Sequence, residues 1–269
     1  QNDFSSALIV RGGSPDENLI VLDGAEIYNP FHLGGLFSTF NADAVSSADF
    51  MAGGYSAEYP GRLSSVLSIT SREGNSKKGK IFGDAPAGRY WDISRIKGDL
   101  SMLSSRALAE GPFYKGACIL SGRRTYFDKL AESYSSAKGG EQDWEYFFTD
   151  NQFKIFSDID SRNRVTFSLF SGKDVLKFFL DEEDWDETID FDWEWGNSAS
   201  SLKWRFVPGS RFYSEFILTR SGFDFDLGLA YTETDSSGFS RKTSFAVTNT
   251  ISDVTVAEHL TWYASPANT

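Results

Sequence analysis

The sequence predicts a mixed architecture: a small glycine-rich α/β domain over residues 1–75, then antiparallel strands over 76–269 with the spacing of a membrane β-barrel wall. Three observations lead there. Two short apolar runs, Ala7 to Val10 and Leu19 to Leu22, flank a Gly-Gly-Ser-Pro corner and end in Asp23-Gly24, a pair suited to the positive φ of a tight hairpin. From Lys77 onward, β-rich segments are separated by connections that alternate between short and long. Several of those segments also alternate apolar and polar residues with the period of a strand.

In the first part the apolar runs predict strands near Leu8 to Arg11, Asn18 to Leu22 and Ala25 to Tyr28. A short helical piece is expected around Gly35 to Phe40, with further strands near Ala48 to Met51 and Ser65 to Ser71. A unit of this size buries little surface by itself, so it is expected to lean on an enclosing wall.

In the second part eight strands are expected, near 77–85, 97–110, 116–127, 146–157, 163–174, 193–207, 211–226 and 243–263. Short connections fall at Gly111 to Lys115, Asp158 to Asn163 and Pro208 to Ser210, and long ones at Asp128 to Glu145, Val175 to Asp192 and Leu227 to Arg241. The dyad pattern is clearest in Val165, Phe167 and Leu169, in Leu202, Trp204 and Phe206, and in Val254, Val256, Leu260 and Trp262. These segments should form an open, curved antiparallel sheet in sequence order, with the small domain on its concave face. An eight-stranded barrel closed on itself would only just hold its own side chains.

Composition narrows the function classes. A net charge of −12 argues against a nucleic-acid partner, because binding phosphates needs a basic face. Aromatic residues make up 16% of the chain, and no apolar run approaches the roughly 18 residues of a membrane helix, so any crossing of a bilayer would use strands. One cysteine, Cys118, excludes an intrachain disulfide, and two histidines without a cysteine cluster leave no recognisable transition-metal site. No basic stretch followed by an apolar core is seen at Gln1, so a secretory leader is expected to have been removed or to lie outside the chain. No nucleophile triad, phosphate loop or zinc spacing is present, and neither an enzyme nor a cofactor is expected.

A second set of residues, Phe50 to Thr70, joins the Val10 to Gly24 stretch into a longer pattern: Arg11-Gly12, Asn18, Asp23-Gly24, Gly53, Tyr59 to Gly61 and Val66 to Thr70. In this order the residues resemble the plug domain of TonB-dependent outer-membrane receptors of the Bacteroidota type. Pro60, between Tyr59 and Gly61, and Ala52, where many members carry a cation, depart from that pattern. The resemblance implies a plug over 1–75 and about eight strands of an expected 22-stranded barrel over 76–269. It further implies import of a large nutrient (a siderophore, glycan, peptide or vitamin complex), driven by the proton-motive force through the inner-membrane TonB complex. The segment that TonB would grip is not in this sequence. Outer-membrane lipid and a surface lipoprotein are the other implied partners. The alternatives are a receptor-derived barrel with a structural or surface-interaction role and no transport, and a soluble all-β binding module.

The resemblance assigns Arg11 to an ion pair with the barrel wall, where a guanidinium fork suits a carboxylate; local carbonyl capping is the plainer alternative. It places Asp16, Glu17, Tyr28, Phe31 and His32 in apical loops that touch substrate, although a lone histidine is more often structural. Asp181 to Asp192 holds eight carboxylates in twelve residues. Such a run reads as a solvated loop, with a calcium site on Asp181, Glu183, Asp184 and Asp186 as the sharper reading; the glycine and spacing of an EF-hand are missing.

Overall fold

The computed structural model describes residues 10, 12–14, 17–53, 59, 64–77, 91–138, 144–182, 187–234 and 237–264. A four-stranded sheet comes first, built from β1 (Asn18–Leu22), β2 (Ala25–Glu26), β5 (Val45–Met51) and β6 (Ser65–Ser71) in the order β2-β1-β6-β5. Between β2 and β5 lies a two-stranded hairpin of β3 (Phe31–His32) and β4 (Phe37–Ser38), joined by a 3-10 turn at Leu33–Gly35. β1 and β6 run parallel, and the outer pairs run antiparallel.

The expected Asp23-Gly24 turn is present. Leu22 pairs with Ala25 across a two-residue loop in which Asp23 has φ 52° and Gly24 φ 91°. Positive φ at both central residues is the geometry that matches the twist of flanking strands, and Gly24 adopts it without steric cost. All five residues of β1 are buried because the strand is covered on both sides. Leu19 and Val21 pack with Val66 on one face, while Ile20 and Leu22 pack with Ala25, Ile27 and Ile69 on the other, against Phe170 and Ala199 of a second sheet.

That second sheet has eight antiparallel strands in sequence order: β7 (Arg95–Leu100), β8 (Ser104–Phe113), β9 (Gly116–Thr125), β10 (Trp144–Asp158), β11 (Asn163–Glu182), β12 (Glu187–Gly209), β13 (Phe212–Thr234) and β14 (Ser240–Trp262). β7 and β14 are its two ends and do not pair with each other, so the sheet is open among the described residues. The chain is therefore mostly antiparallel β-structure, and no helix is long and apolar enough to cross a membrane.

Several boundaries differ from the sequence expectation, and the helical piece expected around Gly35 to Phe40 is instead the end of the 3-10 turn followed by β4. The segment 97–110 is two strands, β7 and β8, separated by a tight turn in which Ser101 Oγ donates to the Ser104 carbonyl. The expected strand at 77–85 lies outside the described residues apart from Lys77. Asp128 to Glu145 is no loop throughout: α1 (Phe127–Lys138) occupies much of it, opened by Asp128, whose carboxylate suits a helix N-terminus. The other two long loops are largely strand. β11 and β12 continue to Glu182 and from Glu187, and β13 and β14 continue to Thr234 and from Ser240. Charge in Asp181 to Asp192 suggested a loop, but cross-strand pairs such as Phe178 with Phe191, whose rings stack at 4.2 Å, hold the ladder together.

Candidate functional site

The large sheet has one face covered by the small sheet and one open. Adjacent cross-strand pairs on the open face form apolar rows. One runs Cys118, Ile155, Phe167, Leu202, Leu218, Val256, and the next runs Leu120, Phe153, Leu169, Ser200, Arg220, Val254, its apolar character broken at Ser200 and Arg220. The row beyond is Gly122, Asn151, Ser171, Ser198, Gly222, Ser252, where the apolar character ends. On β14, Val254, Val256, Leu260 and Trp262 mark the band, with Glu258 interrupting it; eight residue steps at about 3.4 Å give about 27 Å.

The covered face is the reverse. Its rows near the short turns are polar, as in Lys154, Ser168, Ser201, Thr219 and Thr255. Toward the far end they become aromatic, with Trp193 against Trp195 at 4.5 Å and Phe225 beside them. The polarity of the two faces thus exchanges partway along the strands.

Charged residues form the seam between the two sheets. Lys154 donates to Asp23 Oδ1 at 2.8 Å and to the Ser71 carbonyl at 3.0 Å, with both charged side chains 5% exposed. Burial alone would raise the Asp23 carboxyl, but the Lys154 ammonium and the Ser71 hydrogen bonds outweigh it and hold the group below the usual aspartate range. Arg72 and Arg95 both reach Glu110, whose side chain is 1% exposed. Asp43 takes Lys97 and Arg106. Asn197 accepts from the Tyr28 and Asn29 amides at 3.1 and 3.2 Å and donates to the Asn29 carbonyl, closing a side-chain clamp on that loop.

The most enclosed part of the seam is built on His32. Its Nδ1 lies 2.6 Å from Asp174 Oδ2 and its Nε2 2.9 Å from Asp150 Oδ1. Arg123 binds the other oxygen of Asp150 through Nε at 2.8 Å and Nη2 at 2.5 Å. Tyr146 Oη donates to Asp174 Oδ1 at 2.8 Å, and the Leu33 amide donates to the same oxygen at 3.4 Å. The imidazole stacks on Phe148 with centroids 3.8 Å apart and planes within 6°. Gly172 makes this possible, since a Cβ there would lie 2.9 Å from Asp150 Oδ1. Burial by itself would lower the histidine pKa; hydrogen bonds to Asp150 and Asp174 more than offset it, and the group titrates above its ordinary value. With both nitrogens committed to carboxylates, His32 has no free lone pair to serve as a base, so the arrangement suits holding rather than catalysis.

Placed on this frame, the residues singled out by sequence fall into three groups. Tyr28 and His32 sit in the seam: Tyr28 Oη donates to Asp253, and His32 is 0% exposed, facing the large sheet and not solvent. Glu17 and Phe31 are half-buried. Arg11, Asp16, Glu183, Asp184 and Asp186, with the side chain of Asp181, lie outside the described residues. The wall partners Asp150, Asp174, Lys154, Glu110 and Asn197 were missed, although a signal existed. Asp150, Gln152 and Lys154 occupy alternate positions of one strand, and polar residues repeating on a strand register mark a face that meets something polar.

A cavity of about 560 Å³ lies at the outer end of β10 between α1 and the strands, lined by residues including Glu132, Trp144, Lys177, Phe178 and Phe191. No group of histidine, cysteine and carboxylate side chains fit to hold a metal ion exists among the described residues. Fold and seam define a class: an antiparallel β protein with a small mixed sheet docked through ion pairs onto the polar part of its largest sheet. Neither a protein-family model nor a curated protein matches the chain.

Proposed function

We propose that this chain is part of a TonB-dependent outer-membrane receptor that imports a large nutrient, with residues 1–75 as its plug and 76–269 as the first portion of the barrel wall. The observation that carries the reading is the opposed polarity of the two faces. A largely apolar band about 27 Å tall on the open face, interrupted by Arg220 and Glu258, fits the roughly 25 Å apolar belt of outer-membrane barrels. The same strand segments on the other side carry Lys154, Ser168 and Ser201 against the small sheet. A plug must be held yet remain displaceable, and ion pairs and amide clamps around a small apolar contact on Phe170 and Ala199 meet that need better than a wholly greasy seam, because the polar groups can be rehydrated. The polarity exchange suits strands that rise past the headgroups, where an apolar outer face is no longer solvated by lipid.

The test uses the full-length protein in its native host. It should fractionate with the outer membrane and need detergent for extraction. Its deletion should abolish energy-dependent accumulation of one nutrient, and loss of TonB should do the same. Recovery as a soluble monomer without detergent, or unchanged uptake of siderophores, glycans, peptides and vitamin complexes in the deletion strain, would overturn the reading.

A further inference from the structure

We propose that His32, Asp150 and Asp174 form a proton-loaded clasp, which fastens the Phe31–Ser38 hairpin to the large sheet while two protons are shared among the three groups and releases it when one is lost. The argument starts from valence. A neutral imidazole has one N–H and one lone pair, yet both ring nitrogens here face carboxylate oxygens, at 2.6 and 2.9 Å. Two donors are needed, so the trio carries either an imidazolium between two carboxylates or a neutral ring with one protonated carboxyl. Both descriptions contain the same number of protons and the same net charge of −1. Arg123 on β9 supplies the compensating +1 through Asp150, which makes the buried cluster neutral. Tyr146 on β10 is the remaining titratable group facing it, and it already donates its proton toward Asp174.

Loss of one proton would leave the cluster at −1 in a site where His32, Asp150 and Asp174 are each 3% exposed or less. An uncompensated buried charge is not tolerated; water enters or the groups separate. The hairpin is primed for the second course. Leu33, next to His32, has φ 45°, followed by Gly34 at 63° and Gly35 at 107°. A left-handed leucine is strained, and the Asp174 bond to its amide helps to hold it. Apart from His32 the hairpin carries no charge of its own, so this one residue sets its pH response. The sign follows: with the folded-state pKa raised, the clasp is closed below the ordinary histidine value of about 6.5 and opens as pH rises through the folded value.

The clasp stands on this geometry and does not rest on the importer reading. The experiment is therefore blind to transport: hydrogen-exchange protection of amides 31–40 in the full-length protein in detergent micelles, between about pH 6 and about pH 10. Wild type should lose protection at least about tenfold through an alkaline transition. Asp174→Asn should move the midpoint down by about one pH unit or more, since one carboxylate no longer favours the proton. Tyr146→Phe should keep the transition, with its midpoint unmoved or raised because Asp174 loses a donor, and loss of the transition in this variant would assign it to the tyrosine. His32→Gln should show weak, pH-independent protection. In wild type, the ¹⁵N shifts of the His32 ring should titrate in step with the protection loss, a readout that does not depend on any variant folding. Flat wild-type protection, a ring titrating below about pH 6.5, or an unmoved midpoint in Asp174→Asn overturns the clasp. None of these results bears on whether a nutrient is imported.

Discussion

Lys154→Ala should loosen the small sheet from the wall by a predictable amount. The Lys154 ammonium lies 2.8 Å from Asp23 Oδ1, and both groups are buried. Once it is removed, Asp23 keeps its bonds from the Ser71 amide and hydroxyl but remains a charge in an environment with little water. Breaking one side of such a pair costs about 3 to 5 kcal/mol. Taking about 3 kcal/mol at about 1.4 kcal/mol per factor of ten, the docked-to-undocked ratio falls by more than about 100-fold. Native-state hydrogen exchange reads this at amides that donate across the seam, those of Tyr28 and Asn29 to Asn197 Oδ1, which are released if the small sheet leaves the large one. The double replacement Asp23→Asn with Lys154→Met should recover much of the loss, since it removes the stranded charge as well as the pair. Unchanged exchange in Lys154→Ala, or a double variant as weak as the sum of the singles, would refute the argument. The pH response provides a second check. The Asp23 pKa is depressed, so its contribution is complete above the unfolded value of about 3.9 and disappears as pH falls through the folded value. The Asp23 latch is thus lost in acid, whereas the His32 clasp is lost in alkali, and docking should be firmest between.

Two further outcomes follow from the large sheet and from one turn. Leu202→Lys, in the middle of the apolar rows, should lower the folded fraction in lipid vesicles by about 2 to 4 kcal/mol, against about 0 to 1 for Ser198→Lys beyond the band; equal effects, measured by gel mobility of heated and unheated samples, would remove the band as a lipid-facing surface. Gly74→Ala should destabilise the approach of residues 72–77 to β9, because Gly74 has φ 85° and an added Cβ would lie 2.5 Å from the Cys118 carbonyl oxygen; faster exchange at the β9 amides, with no change in the Asp23 turn, is the expected signature.

Strand existence was legible in the chain wherever apolar and polar residues alternate strictly. Val165, Phe167 and Leu169 alternate with Arg164, Thr166 and Ser168, and β11 is found there. The Asp23-Gly24 turn was equally legible, since its conformation depends on two adjacent residues and nothing distant. Boundaries were less so. The 97–110 segment alternates poorly, and only pairing in space reveals the tight turn at 101–103 that divides it. The acidic run after Leu180 looked like a loop because its charge density dominates any local reading, while the stacking of Phe178 on Phe191 from the next strand keeps it in the ladder.

What the sequence determined by itself was most of the long strands, their order in the large sheet and one turn, because those follow from periodicity and local backbone preference. The partners across the seam were decided by tertiary structure alone. His32 looked like an exposed loop residue, and its meeting with Asp174 spans 142 positions, just as Lys154 meets Asp23 across 131. No local pattern encodes such a pair. Each polar side chain is compatible with water until packing removes the water, and only then does the choice of partner become energetically binding.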